Sequence, residues 1–321
     1  MKFKIKNIFF ISQYISINRM LKYQNNIIKR ENFFRIIDAM HTMTDATKND
    51  TDHVMTDAIN HTVTDKSQDW WDKTYNIIDS GTFCSNSCIY CYVSACSRIN
   101  PHTGSLVTSK MKINKNKVNK GWKSIKTQLV MGFPSSHDVF DSCVNDYISV
   151  AIKMMNAGYY VMMTTKPRLS VIKTVCQALW LYRKSFEFRF TIGSSNNAIL
   201  KTWEPYAPDL SERLECIKYI NGQYRVSISM EPLLDTKPLD LIQVIYPYVQ
   251  EIWIGNMNHT HEIENLHQQF IKDNIYLTHE INSMDGKFFY GLISQIRSMG
   301  LNKIFFKESV RNAVINYCKK K

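Results

Sequence analysis

Tyr159-Tyr-Val-Met-Met-Thr164, followed by Ser170 to Arg183 and then by Phe186-Glu-Phe-Arg-Phe-Thr-Ile192, is the stretch that decides the fold. A short apolar run, a longer run with helical periodicity and a second short apolar run read as strand, helix and strand. Strands alternating with helices in this way lie parallel and are joined by right-handed crossovers.

The same alternation extends to both sides. Towards the N-terminus, Gln128-Leu-Val-Met-Gly132 reads as a strand and Asp141 to Asn156 as a helix ending at Gly158. Towards the C-terminus come a helix over Asp209 to Ile220, a strand Tyr224-Arg-Val-Ser-Ile-Ser-Met230, a helix over Leu239 to Val249 and a strand Glu251-Ile-Trp-Ile-Gly255. With Tyr75-Asn-Ile-Ile-Asp79 as the first strand, the chain carries six strands separated by helices. The expected fold class is α/β, a partial TIM-type (β/α)6 barrel rather than an open doubly wound sheet. In such barrels the site lies at the C-terminal strand ends. Those ends read Phe133-Pro134-Ser135-Ser136-His137-Asp138, Thr164-Thr165-Lys166-Pro167-Arg168, Gly193-Ser194-Ser195-Asn196, Glu231-Pro232-Leu233 and Asn256-Met257-Asn258.

Ser80-Gly81 turns the first strand into Cys84-Ser-Asn-Ser-Cys88-Ile-Tyr-Cys91. Three thiols at this spacing can close around one face of an iron–sulfur cube, and soft thiolates suit iron. Three ligands leave one iron open for a small molecule. A structural zinc site would need a fourth ligand, for which Cys96 is the nearest residue, although it falls where a helix should start. Disulfides would need an oxidising compartment, and no signal peptide is evident.

Cys-x3-Cys-x2-Cys with an aromatic residue before the third Cys, here Tyr90, resembles the signature of the radical SAM superfamily. Thr165-Lys166, Glu204-Pro205 and Asp209-Leu-Ser-Glu-Arg-Leu214 resemble the group labelled DNA repair photolyase, to which spore photoproduct lyase belongs. Lys166-Pro167-Arg168 and Glu231-Pro232-Leu233-Leu234 resemble a phage-associated branch with similar cysteines. The resemblance covers about Tyr75 to Asn256 and is strongest at the cysteines.

What it implies is a 4Fe-4S cluster held by Cys84, Cys88 and Cys91, with S-adenosylmethionine on the open iron. Reductive cleavage would give methionine and a 5′-deoxyadenosyl radical that takes a hydrogen atom from the substrate. The backbone from Gly132 through Ser135 and Ser136 would lie near the methionyl amino group, and Lys166 would pair with the methionyl carboxylate. Ser194 would approach the ribose, and Glu231 would receive a hydroxyl of substrate or cofactor, facing some donor. Two of these have plain alternatives: Lys166 as a surface lysine before a Pro-capped helix, and Ser194 as turn chemistry. The resemblance also implies a reductant such as flavodoxin or ferredoxin. Spore photoproduct lyase uses a further cysteine near the end of its second strand as hydrogen donor. Here the nearest thiol is Cys143, within the next helix, where a lone Cys is commonly a small buried residue. Thymine-dimer repair is therefore in doubt.

The chain has 321 residues, enough for one large α/β domain with appendages. Forty Lys and Arg stand against twenty-eight Asp and Glu, a balance that favours an anionic partner such as nucleic acid. From Ser97 to Lys126 there is no acidic residue, and Lys110, Lys112, Lys115, Lys117, Lys120, Lys123 and Lys126 recur. This stretch is either a solvated loop or a phosphate-contacting flap near the cluster. Residues 1–69 form a basic and then low-complexity extension, expected to be flexible. Within it, 41–66 repeats a His-x-x-Thr-Asp text at His41, His53 and His61. No apolar run reaches membrane-spanning length, and a cytoplasmic location is expected. Residues 70–258 form the core barrel and 259–321 a C-terminal α/β addition. Its strands are expected at Asn274–Thr278 and Lys303–Phe306, its helices from Gly286 to Met299 and from Glu308 to Lys320.

The expected activity is a radical SAM reaction on nucleic acid or a nucleotide. The alternatives are modification of a peptide or small metabolite, and a non-catalytic zinc- or nucleic-acid-binding module.

Overall fold

A computed structural model of the chain describes residues 2–42, 70–79, 82–91, 93 and 110–320, with side chains of the first helix described over 19–40. Seven parallel strands form one curled, half-barrel sheet in chain order: β1 (Lys73–Thr74), β2 (Val130–Gly132), β3 (Tyr160–Thr165), β4 (Phe186–Thr191), β5 (Arg225–Met230), β6 (Glu251–Ile254) and β7 (Ile304–Phe306). The architecture is compatible with a partial TIM-type barrel. Helices follow β2 to β5 because those crossovers carry one-sided apolar stripes. In Val144–Asn156 the buried residues Val144, Tyr147, Ile148, Ala151 and Met155 recur at helical spacing.

Alternation along the strands divides the sheet's two faces. Val161, Met163, Phe186, Phe188, Phe190, Val226, Ile228, Ile252 and Ile254 join the helices in the main core. The opposite, inner face carries Val130, Tyr160, Met162, Trp253 and Phe305 with Trp70. It also carries charge: Glu187, Arg189 and Glu251 are fully buried there. Buried ions need partners, and these have them. Arg189 Nη2 donates to Glu251 at 2.9 Å, and Arg225 Nη2 donates to Glu251 at 2.5 Å.

The third arginine of this cluster comes from the N-terminal helix α1 (Lys2–Thr42). Arg19 donates through Nε to Glu187 at 2.9 Å and through Nη2 to Glu251 at 2.7 Å. Arg19, Asn26 and Phe33 stand seven residues apart, hence on one helix face, and all are buried. Phe33 and Phe34 meet Phe306 of β7, and Arg297 donates to Asp38 at 2.7 Å. The flexible extension expected over 1–69 is thus corrected for residues 19–40, which pack against the barrel. Its basic residues include an ion-pair partner for the interior. The His-x-x-Thr-Asp repeat lies outside the described residues from 43 onward.

Two further expectations change. Asn274–Thr278 is not a strand: Ile275–Ser283 is a helix, because Leu277 and Met284 are buried and Ile281 packs with them, a helical stripe that overrides the local alternation. Tyr75–Asp79 is not the first strand: β1 is Lys73–Thr74, just before it, and beyond β1 the backbone pairs with the basic stretch. Ile78 bridges Ile113 antiparallel and Asn114 N donates to Ile77 O at 2.7 Å. Strand β7, expected in a C-terminal addition, pairs with β6 and continues the same sheet. Among the described residues no helix is long and apolar enough to cross a membrane.

Candidate functional site

A cavity of about 310 Å³ opens at the C-terminal ends of the strands. Thr164 of β3, Thr191 of β4 and Ser229 of β5 point into it from the sheet, Thr191 and Ser229 being register partners. Glu231, Asn256 and Lys307 follow β5, β6 and β7 onto its wall. Trp70 and Trp71, just before β1, form another part of the wall. Trp70 is flanked by two cations, Arg189 at 4.6 Å and Lys307 at 4.0 Å from its ring.

Cys84, Cys88 and Cys91 all line this cavity, and all three are free thiols. Several contacts that do not involve sulfur hold their loop. Asn86, fully buried between Cys84 and Cys88, donates to Asp138 at 2.7 Å and accepts from Arg168 at 2.8 Å. Ile89 N donates to Trp203 O at 2.9 Å, and the Tyr90 hydroxyl donates to Glu204. Glu204 also accepts from the buried Arg213 at 2.5 Å, and Arg213 donates to the Thr191 carbonyl at the end of β4. The cysteine loop is therefore fastened to the ends of both β2 and β4. Among the described residues no group of three or more His, Cys, Asp or Glu side chains is arranged to hold a metal ion. Cys96 lies outside the described residues.

Asp138 is the hub beside the first cysteine. Its carboxylate accepts from Thr165 Oγ1 at 3.0 Å and from Lys166 N at 2.6 Å, and lies 3.7 Å from Lys166 Nζ. Burial alone would raise its pKa, but the Lys166 charge and these hydrogen bonds hold it below the usual carboxylate value. Lys166 is buried too: burial would lower its pKa, yet Asp138 chief among its anionic neighbours holds it well above the usual lysine value. Burial, with the Asp138 charge, pushes the Cys84 thiol up to about 12. Cys88 is raised as well, again by burial, with the Lys166 charge opposing. His137 is lowered by burial; its Nδ1 faces the Asp138 carbonyl at 2.9 Å.

The structure divides the other expected site residues. Tyr90, Ser135, Ser136, Lys166 and Glu231 line the cavity with the cysteines. Lys166 is paired with Asp138 rather than standing alone. The amides of Ser135 and Ser136 both donate to Asn76 Oδ1, at 2.9 and 3.0 Å, so that backbone is fixed from across the loop. Glu231 meets the donors that its burial demands, Asn258 Nδ2 at 3.2 Å and Lys307 Nζ at 3.8 Å.

Three residues are corrected. Gly132 is not a cavity wall: a Cβ there would lie 2.6 Å from the Trp71 indole, which covers it. Ser194 is turned away from the cavity, donates to the buried Asp235 and accepts from Asn196 N at 2.9 Å, the turn chemistry of the plainer alternative. Cys143 is buried at the start of the helix Val144–Asn156, facing the Phe140 backbone and off the cavity wall.

The sequence did not single out Asn76, Asn86 or Lys307. Asn86 had a signal, an amide inside the cysteine spacing, and Lys307 another, its place just after the expected strand Lys303–Phe306; Asn76 had none, since its partner is distant in the chain.

The fold and site define an α/β half-barrel with three thiols facing a cavity at its strand ends. Scans against protein-family models, curated proteins and solved structures each find no match.

Proposed function

We propose that the chain is a radical SAM enzyme, holding a 4Fe-4S cluster through Cys84, Cys88 and Cys91 and binding S-adenosylmethionine in the cavity. The observation that carries the reading is that three thiols from a single loop open onto a cavity at the C-terminal ends of a parallel half-barrel. The donor types fit, although the three side chains are not gathered around a single ion: soft ligands at this sequence spacing suit iron and leave a position for a small molecule. The wall fits as well. Trp70 Nε1, Trp71 Nε1, His137 Nε2 and Thr164 Oγ1 are buried without a protein partner, and such groups gain when a polar ligand reaches them.

When bound, the cluster and S-adenosylmethionine would supply a 5′-deoxyadenosyl radical that abstracts hydrogen. The protein orients and excludes water. Trp70, Trp71 and Tyr90 shield the cavity. Lys166 offers a buried cation, and Glu231, kept in place by Asn258 and Lys307, offers an acceptor for a hydroxyl or amine.

For substrate we favour nucleic acid or a nucleotide. Exposed lysines at 110, 112, 115, 120, 123 and 126 supply sequence-independent attraction to phosphate, while the internal contacts of Lys115 with Asp146 and of Lys117 with the Ile78 carbonyl show that part of this stretch serves the fold. Cysteine-mediated hydrogen return is not favoured, because among the described residues the cavity wall holds no thiol beyond the three proposed ligands.

The test is anaerobic reconstitution, dithionite reduction with S-adenosylmethionine, and assay of 5′-deoxyadenosine for wild type and Cys88→Ala. Cysteine-dependent product supports the proposal. A fully reconstituted cluster that yields none, with DNA and RNA present, overturns it. Zinc without acid-labile sulfide would leave a binding module in its place.

A further inference from the structure

Asp138 presents two opposed groups to one sulfur. Its backbone N–H donates to Cys84 Sγ at 3.4 Å, which stabilises negative charge on the sulfur. Its carboxylate Oδ2 lies 3.7 Å from the same sulfur, which opposes that charge. Lys166 Nζ, also 3.7 Å from Oδ2, balances the carboxylate and lies 5.5 Å from the centre of the Tyr90 ring. Asp138 is 7 % and Lys166 8 % exposed, so solvent screens neither charge well. The carboxylate is fixed as firmly as its neighbours, through Asn86 from inside the cysteine loop and through Thr165 and the Lys166 amide at the end of β3. The loop has a second anchor that does not use this carboxylate, the bond from Arg168 to Asn86 Oδ1 at 2.8 Å. Fixed charges and N–H···S bonds beside a ligand sulfur are what set the reduction potential of an iron–sulfur centre.

We infer that Asp138 and Lys166 are a matched pair of positioning residues that sets the potential of the group bound at Cys84, the carboxylate disfavouring reduction and the ammonium favouring it. This rests on the iron–sulfur reading above. Because the two charges act with opposite sign, their removal separates an electrostatic role from a merely structural one, which would move both variants alike.

The experiment is an anaerobic potentiometric titration followed by electron paramagnetic resonance. It uses the reconstituted full chain as wild type, Asp138→Asn and Lys166→Gln, with iron and sulfide determined on the same samples. At a fixed potential Asp138→Asn should raise the ratio of reduced to oxidised centre at least tenfold, a positive shift of about 59 mV for a one-electron couple. Lys166→Gln should lower that ratio by a similar factor. If Asp138→Asn does not retain the centre, Lys166→Gln decides alone. Shifts in the same direction, or changes below threefold with iron and sulfide intact, overturn the pairing and leave the cluster reading standing. Loss of iron from both variants with wild type loaded makes the pair structural and also overturns it. A wild-type chain that takes up no iron and sulfide overturns both.

Discussion

Replacing Arg19 with methionine removes the charge that α1 inserts between Glu187 and Glu251 while keeping most of the apolar stem. Arg19 makes three side-chain hydrogen bonds to the two carboxylates, at 2.7, 2.9 and 3.1 Å, and its side chain is 6 % exposed against 0 % for both glutamates. Breaking a buried ion pair by removing one partner costs about 3–5 kcal/mol. Here the cost is reduced, because three arginines share two carboxylates and the variant retains two of each. Glu251 keeps Arg189 at 2.9 Å and Arg225 at 2.5 Å; Glu187 keeps Arg225 at 3.2 Å and the Tyr160 hydroxyl at 3.2 Å. Removing Arg19 also relieves repulsion on Arg189, whose pKa stands at about 10, lowered by burial and, to a lesser degree, by the neighbouring arginines. The expected loss is therefore about 2–3 kcal/mol, at the low end of the range for buried pairs.

Urea unfolding of wild type and Arg19→Met, read as a midpoint shift at unchanged slope, measures it. The wild-type advantage should also shrink in acid. Burial would raise the Glu251 pKa, but Arg19, Arg189 and Arg225 hold it well below its ordinary 4.5. A carboxylate depressed in the folded state stabilises fully above its unfolded pKa, and that contribution is lost progressively as pH falls below about 4.5. A loss under 1 kcal/mol at neutral pH, or one that does not diminish in acid, would refute the reasoning that α1 is docked through this charge.

Three further outcomes follow from individual contacts, those read on S-adenosylmethionine or 5′-deoxyadenosine resting on the proposed function. Gly255→Ala places a Cβ 2.8 Å from Glu231 Cγ, so the carboxylate must move; stability should fall by about 1–3 kcal/mol in urea, and occupancy of the cavity by S-adenosylmethionine, measured calorimetrically, should fall at least tenfold. Glu204→Gln leaves the fully buried Arg213 without its anion and should cost about 3–5 kcal/mol, with faster proteolysis of the cysteine loop. Cys143→Ala should leave 5′-deoxyadenosine formation within about twofold of wild type and cost only about 1 kcal/mol of stability; a loss of substrate product alone would restore Cys143 as a hydrogen donor.

The outer half of the barrel was legible because its strands carry apolar residues where they face helices. Phe186, Phe188 and Phe190 announce β4 within a residue of its ends, and Val226 and Ile228 do the same for β5. The inner half was harder to read. Glu187, Arg189, Arg225 and Glu251 stand in the strand text at alternate positions, a pattern that equally fits a solvent-facing side. Their partner Arg19 is 168 residues from Glu187, and no local period links the two. The cysteine loop was legible from its spacing, and Ser135, Ser136, Lys166 and Glu231 from their places after strands. Ser194 occupies an equivalent place but fails, because the approach of two loops decides where it points. Leu234 N donates to the Gly193 carbonyl at 2.9 Å, which closes the gap between the ends of β4 and β5. Asn76 escaped notice for the same reason: its contact with Ser135 spans 59 residues.

The inner face of the sheet explains why the cavity beside the cysteines lies at the C-terminal end of the strands. At the N-terminal ends of the strands, Glu187, Arg225 and Glu251 fill the interior and α1 adds Arg19 to them. In the middle, Trp70 lies between Arg189 and Lys307, with Trp253 stacked on Phe305 at 5.1 Å. Beyond Thr164, Thr191 and Ser229 the interior opens. Lys307 belongs to both regions, above Trp70 and beside Glu231, so the closed base and the open site share one cation. A continuous column of contacts, Arg19, Glu251, Arg189, Trp70, Lys307 and Glu231, joins the docked α1 to the cavity wall. If that column transmits and the proposed function holds, Arg19→Met should lower S-adenosylmethionine affinity as well as stability, although Arg19 is not among the residues lining the cavity. Calorimetric titration at a temperature where the variant remains folded would reveal that coupling, and an unchanged affinity would show that the column transmits nothing.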